Sequence, residues 1–118
     1  MESTRIKGMV LKYYELIDQD RIEELLNLFS KDIYYKRCKN EIRGMKDFEA
    51  FYRKERSISG RHKVIRVIVQ SYVAVVEGSF EGNWKDGTPI KIDFADIYFF
   101  NKEGKIYERH TYTDQGKV

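Results

Sequence analysis

Between Ile90 and Phe100 every second residue reads Ile90, Ile92, Phe94, Asp96, Tyr98 and Phe100, the alternation of a strand with one buried face, broken once by an acid. Side chains on a strand repeat every second residue, so Asp96 projects into the same space as Phe94 and Tyr98. A carboxylate in such a place needs a partner or a shifted protonation equilibrium. Two readings follow. Asp96 is either a structural acid satisfied by a neighbouring arginine or a group doing acid–base work in a pocket.

The residues before this strand change period twice. Ile6, Met9, Val10, Tyr13 and Ile17 recur at spacings of three and four, which predicts a first helix capped by Ser3 or Thr4. Asp20 is positioned to cap a second, with Glu23 completing a capping box and Ile22, Leu25, Leu26 and Phe29 on its buried side. Ile33 to Arg37 or Cys38 reads as a short strand. A third helix runs from Met45 to about Glu55, with Phe48, Phe51 and Tyr52 on one face. Two long strands follow, Val64 to Gln70 and Tyr72 to Phe80, then the Asp86-Gly87 hairpin signal, the Ile90 strand, and a last strand from Lys105 to about Thr113. Three helices before a run of antiparallel strands is the order of an α+β domain, with helices on one face of a curved sheet.

The length of 118 residues and a 42% hydrophobic content fit a single domain over residues 1–118. Its 22 basic and 19 acidic residues are interspersed along the chain, a mixed surface that does not call for nucleic acid. The absence of any run of about 18 apolar residues excludes a spanning helix, so no membrane partner is expected. Cys38 is the single cysteine, which suits a reducing compartment, and a cytoplasmic location is the default expectation. No phosphate loop, Ser-His-Asp set or metal-ligand spacing stands out, so neither a metal nor a cofactor is expected.

Several stretches together resemble the nuclear transport factor two-like fold, and within it the SnoaL-like group of polyketide cyclases and ketosteroid isomerases. They are Lys12-Tyr13-Tyr14, Leu28-Phe29-Ser30-Lys31-Asp32, Ile42-Arg43-Gly44, Val75 to Gly82, Phe94-Ala95-Asp96, Gly104-Lys105-Ile106 and Thr111-Tyr112. The resemblance implies a cone-shaped half-barrel partly closed by helices, an apolar pocket inside the cone, and a homodimer packed through the outer sheet face. The isomerases place a tyrosine on the first helix and an aspartate on the penultimate strand, matched here by Tyr13 and Asp96. Their proton-moving aspartate on the first strand is matched by Arg37, which cannot serve as a base. The cyclases and epoxide hydrolases of the fold use an acid near the position of Thr111. Two further hydrolase positions correspond to Glu77 and Ser79.

Across the last hairpin, pairing Phe100 with Lys105 sets Asp96 opposite Arg109. The candidate site is then Asp96 and Tyr13 as catalytic groups. Arg37, Arg109, His62, Thr111 and Trp84 are the candidate binding groups, facing a small hydrophobic or anionic molecule. His62 is either an edge histidine or part of the pocket mouth, and Trp84 either walls the cavity or covers the sheet end. Ile97, Phe99 and His110 alternate outward, toward the expected dimer contact. A non-catalytic binding or dimerisation module of the same fold is the alternative.

Overall fold

The computed structural model describes residues 2–116. Helix α1 spans Ser3–Asp18 and α2 Ile22–Leu26. They are followed by β1 (Phe29–Arg37), β2 (Asn40–Arg43) and α3 (Met45–Ala50), which widens into a π-turn over Phe51–Glu55. Four long strands complete the chain: β3 (Ile58–Gln70), β4 (Val73–Trp84), β5 (Pro89–Phe100) and β6 (Ile106–Thr113). The six strands form one open sheet in the order β2-β1-β6-β5-β4-β3, antiparallel throughout except where β1 runs parallel to β6. Three helices packed on a curved, mostly antiparallel sheet is the α+β arrangement expected from the element order, and its shape is the cone that the resemblance implies.

The local devices differ from expectation at the helix starts. Neither α1 nor α2 has a side-chain cap, and Asp20 takes a left-handed backbone (φ 58°), which turns the chain between the helices instead of capping the second. Glu23 does not fold back as a capping box and instead pairs with Arg53 at 2.9 Å. The hairpin strand β2 was not foreseen, because Asn40–Arg43 has little apolar content and pairs only at the sheet edge. At the Asp86-Gly87 turn, Gly87 supplies the positive φ (89°) and the Asp86 carboxylate accepts from the Thr88 amide at 2.9 Å.

The core fills the space between the helices and the concave face. Ile6, Val10, Leu16 and Leu25 come down from α1 and α2 onto Ile33, Val76, Tyr98 and Ile106, all essentially without solvent contact. Gly60 and Gly82 face each other across β3 and β4, and a Cβ on either would overlap the backbone of the other strand. Their bareness lets the two strands approach closely beside the cavity.

Candidate active site

Asp96 lies on β5, only 1% exposed, pointing inward between Phe94 and Tyr98, both buried. Its backbone partner on β6 is Thr111, not Arg109 as the simple hairpin count predicts: at the hairpin end Phe100 pairs with Ile106 and not Lys105, and an irregularity between Phe99 and Phe100 shifts the register by one residue more. Arg109 sits opposite Tyr98 and still reaches the acid diagonally, with Nη2 at 2.9 Å from Oδ2. Two hydroxyls also donate to the carboxylate: Tyr14 to Oδ2 and Thr111 to Oδ1, each at 2.5 Å. Three donors therefore face a group that, ionised, only accepts.

Each donor is itself held. The Thr111 proton is given to Asp96, so the Tyr35 hydroxyl donates to Thr111 Oγ1 at 2.8 Å and accepts from Arg37 Nη1 at 2.9 Å. Tyr98 donates to the Tyr14 hydroxyl at 2.9 Å. The Arg109 guanidinium lies over the rings of Tyr13, Tyr35 and Tyr98, with Cζ at 4.3, 4.7 and 5.2 Å from their centroids. Burial works against its charge, but Asp96 and the surrounding tyrosines more than offset this and raise its pKa well above the ordinary arginine value. Burial also pushes Tyr14, Tyr52 and Tyr98 well above the usual phenol range, with the Asp96 charge adding to the rise for Tyr14 and Tyr98. These tyrosines remain protonated donors at any neutral pH.

Tyr13 occupies a different place from the one the resemblance implies. Its hydroxyl makes no bond to Asp96. It meets Arg109 Nη1 at 2.8 Å and the Tyr52 hydroxyl at 2.6 Å, while its neighbour Tyr14 takes the position against the acid. Both tyrosines are buried, since α1 presents a wide apolar face to the sheet. Arg109 Nη1 also donates to Tyr52 at 3.0 Å. One hydroxyl proton lies between Tyr13 and Tyr52, which leaves the other phenol proton for something in the space they border.

That space is a cavity of about 40 Å³ between α1, the π-turn and the sheet, bordered by Tyr13, Tyr52, Asp96, Arg109, Thr111 and Thr113. Arg37, Arg56, His62, Ile58, Phe80, Ile92 and Phe94 complete its wall. Its volume compares with the roughly 10–15 Å³ that one water needs by the same measure, so the room is for a few water-sized groups. The wall is more polar than the apolar pocket implied by the resemblance, because β5, β6 and β1 bring their few inward polar residues to one end of the cone.

His62 lies in the wall through a partnership that the sequence reading missed. Its ring Nδ1 is 2.6 Å from Asp18 Oδ1, and its backbone amide donates to Asp18 Oδ2 at 2.8 Å, so one carboxylate fixes both the ring and its peptide. The ring packs against Tyr14, Phe80 and Phe94. Nε2 has no hydrogen-bond partner among the described residues. The signal was available: Tyr14 and Asp18 are one helical turn apart and share a face. Trp84 does not border the cavity. It lies on the same strand as Phe80 but four residues further along, roughly 13 Å at strand rise, where it pairs with Ile58 at the end of the sheet. Among the described residues, no three His, Cys, Asp or Glu side chains come together as a metal site, and no helix is long and apolar enough to cross a membrane.

The sequence model described as the SnoaL-like domain matches residues 10–109, most of the chain. The protein belongs to the SnoaL-like domain family. Solved structures with the same fold include an NTF2-like protein of unknown function from Exiguobacterium sp. 255-15 (TM-score 0.80, 22% identity, 90% of this chain and 98% of that one). An LEH-like epoxide hydrolase of M. tuberculosis superimposes with a TM-score of 0.85 at 14% identity, over 98% of this chain and 86% of that one. A hypothetical protein with a ketosteroid isomerase-like fold from Catenulispora acidiphila DSM 44928, in complex with trimethylamine, gives a TM-score of 0.76 at 16% identity, over 88% of this chain and 83% of that one. At these identities the likeness extends to the fold of a SnoaL-like domain and not to its chemistry. No curated protein matches this sequence.

Proposed function

We propose that this SnoaL-like protein binds a small carbonyl compound or its anion in the cavity and moves a proton on it, in the manner of an isomerase or cyclase. The observation that carries the reading is the Asp18–His62 pair at the cavity wall. With Nδ1–H donating to Asp18 Oδ1, the neutral imidazole carries its lone pair on Nε2, the atom a general base uses. His62 thereby takes the role that the first-strand residue Arg37 cannot fill. The spare hydroxyl proton of the Tyr13–Tyr52 pair, backed by the Arg109 charge, is suited to meet an oxygen that becomes negative as a carbon-bound proton leaves. Asp96, with three protein donors on its two oxygens, serves in this proposal as the charge that holds Arg109, Tyr14 and Thr111 in place.

Cost supports the same reading. A buried ion pair seldom stabilises a domain more than apolar packing of the same volume would, so the Asp96–Arg109 centre is better explained by function than by stability. The alternative, a binding module without chemistry, draws on the three protein donors that already occupy the Asp96 oxygens.

Deuterium exchange decides between them. Small ketones and 2-oxo acids incubated with the protein in D₂O are expected to lose α-hydrogen signal in proton NMR faster than in buffer, and His62→Gln is expected to remove the acceleration. Exchange no faster than buffer across such a panel would leave the binding module as the better reading.

The homodimer belongs to this proposal as well. Ile68, Val75 and Ile97 follow one another across β3, β4 and β5 on the outer face, with Ile68 58% exposed and Phe99 packed at a tilt against His110 beside them. An apolar row of this kind fits a second copy of the same sheet. A cytoplasmic location accords with the single cysteine.

A further inference from the structure

The charges around the cavity do not balance. Three guanidinium groups border it, those of Arg37, Arg56 and Arg109, against the single carboxylate of Asp96. Arg109 already engages that carboxylate, and Asp18 nearby is engaged by His62. Arg37 donates to the Tyr35 hydroxyl and lies 4.9 Å over the Phe51 ring, while Arg56 donates to the Ile58 carbonyl at 3.0 Å and lies 5.9 Å from the Phe80 ring. Neither has a carboxylate partner among the described residues. Both are half-buried, and Arg37 lies close enough to Arg109 for the two charges to repel.

Arg109 brings a third positive charge to the same wall, but its carboxylate partner is already in place, and its Nε, the one buried side-chain nitrogen or oxygen among the described residues without a hydrogen-bond partner, has no exposed surface. Two guanidinium groups without a carboxylate partner on one cavity wall describe half of an anion site.

We infer that the ligand of this cavity carries a carboxylate, held between Arg37 and Arg56. The inference rests on the reading of the cavity as a ligand site and names the chemical class that it takes. A carboxylate is flat and compact enough for a space of about 40 Å³, and its two oxygens match guanidinium forks in a way that a neutral carbonyl does not. Arg56 stands where such a group would arrive. Together with Tyr52 and Ile58 it also borders an adjoining cleft of about 330 Å³. The cleft has room for the remainder of a molecule whose charged end lies inside. A small 2-oxo acid would thus have its carboxylate at the arginines and its keto oxygen near Tyr13 and Tyr52.

The experiment compares pyruvate with pyruvamide, nearly the same in shape and different in charge, by titration against the whole protein at low ionic strength with the arginine Nε–H signals in NMR as readout. Pyruvate is expected to bind about tenfold or more tightly than pyruvamide, in line with a charge-assisted fork contact. Arg37→Gln and Arg56→Gln should each erode that preference, and together abolish it. The surface variant Arg66→Gln, whose guanidinium pairs with Glu77 on the sheet, should keep it. Arg37→Lys and Arg56→Lys guard against loss of fold, since they retain charge and stem while losing the fork, and should retain part of the preference.

Equal binding of the two compounds overturns the inference. So does a preference that survives the double variant, or the absence of saturable binding by pyruvate. The proton-transfer reading stands apart from this result. Exchange of a neutral ketone with no charge preference sinks the carboxylate site alone, whereas a charge preference without any α-hydrogen exchange sinks the chemistry and leaves the carboxylate site standing.

Discussion

Arg109 reaches Asp96 across a diagonal: Nη2 lies 2.9 Å from Oδ2 although the residue facing Asp96 on β6 is Thr111. Diagonal neighbours on one face of a sheet are separated by more than direct ones, and only a long side chain spans the gap. The Arg109 stem does so under three tyrosine rings, and this fixes the guanidinium between the acid on one side and the Tyr13–Tyr52 pair on the other.

Asp96→Asn should therefore be destabilising. It leaves the Arg109 charge buried without its counter-charge, a loss of about 3 kcal/mol on the scale of broken buried pairs. Urea unfolding of the variant beside wild type measures it. An unchanged midpoint would contradict the account of the pair, and the double variant Asp96→Asn with Arg109→Met should recover part of the loss.

Tyr13 and Tyr14 are adjacent in sequence and separable by experiment. Tyr14→Phe removes a donor from a buried carboxylate and should lower stability by about 1.5–3 kcal/mol. Tyr13→Phe leaves Arg109 with Tyr52 and Asp96 as acceptors, so stability should fall less. Under the proposed function, Tyr13→Phe should instead slow α-hydrogen exchange by about a hundredfold, as removal of one oxyanion donor does. Melting curves and exchange rates on the two variants should rank in opposite orders.

Alkaline pH should unfold the protein through its buried tyrosines. The folded-state pKa values of Tyr14, Tyr52 and Tyr98 are raised, chiefly by burial, above the unfolded value of about 10. Above that pH the unfolded chain loses phenol protons that the folded chain keeps, so stability is complete below about pH 10 and falls as the pH rises beyond it. The part of the tyrosinate absorbance that Tyr14→Phe, Tyr52→Phe and Tyr98→Phe remove should appear in the same step as unfolding. Its appearance well ahead of unfolding would show these groups to be accessible.

The outer face offers a test of assembly. Ile68→Lys puts a charge at the most exposed apolar position of the Ile68-Val75-Ile97 row without touching the cavity. Light scattering should give a dimer mass for wild type and a monomer mass for the variant. A wild-type monomer at micromolar concentration would end the dimer proposal.

Much of the architecture is legible in the sequence because periodicity is a local property. The stripe through Ile6, Val10, Tyr13 and Ile17 and the alternation through Phe94, Asp96 and Tyr98 both foretell which side is buried, and both lie as read. Strand parity alone was enough to aim Asp96 inward and His110 outward. The contacts within the cavity depend on two things that no local pattern contains. One is register: the hairpin pairs Phe100 with Ile106 and not Lys105, and the irregularity at Phe99 and Phe100 adds one more residue, which together exchange Arg109 for Thr111 opposite Asp96. The other is how α1 is rotated and shifted on the sheet, which selects Tyr14 over Tyr13 for the acid and brings Asp18 to His62, 44 residues away in the chain. Residue types and their facing are set by the sequence through the period of each element. Which donor meets which acceptor is set by the packing of helix on sheet, where a displacement of a single side chain's width changes the partner.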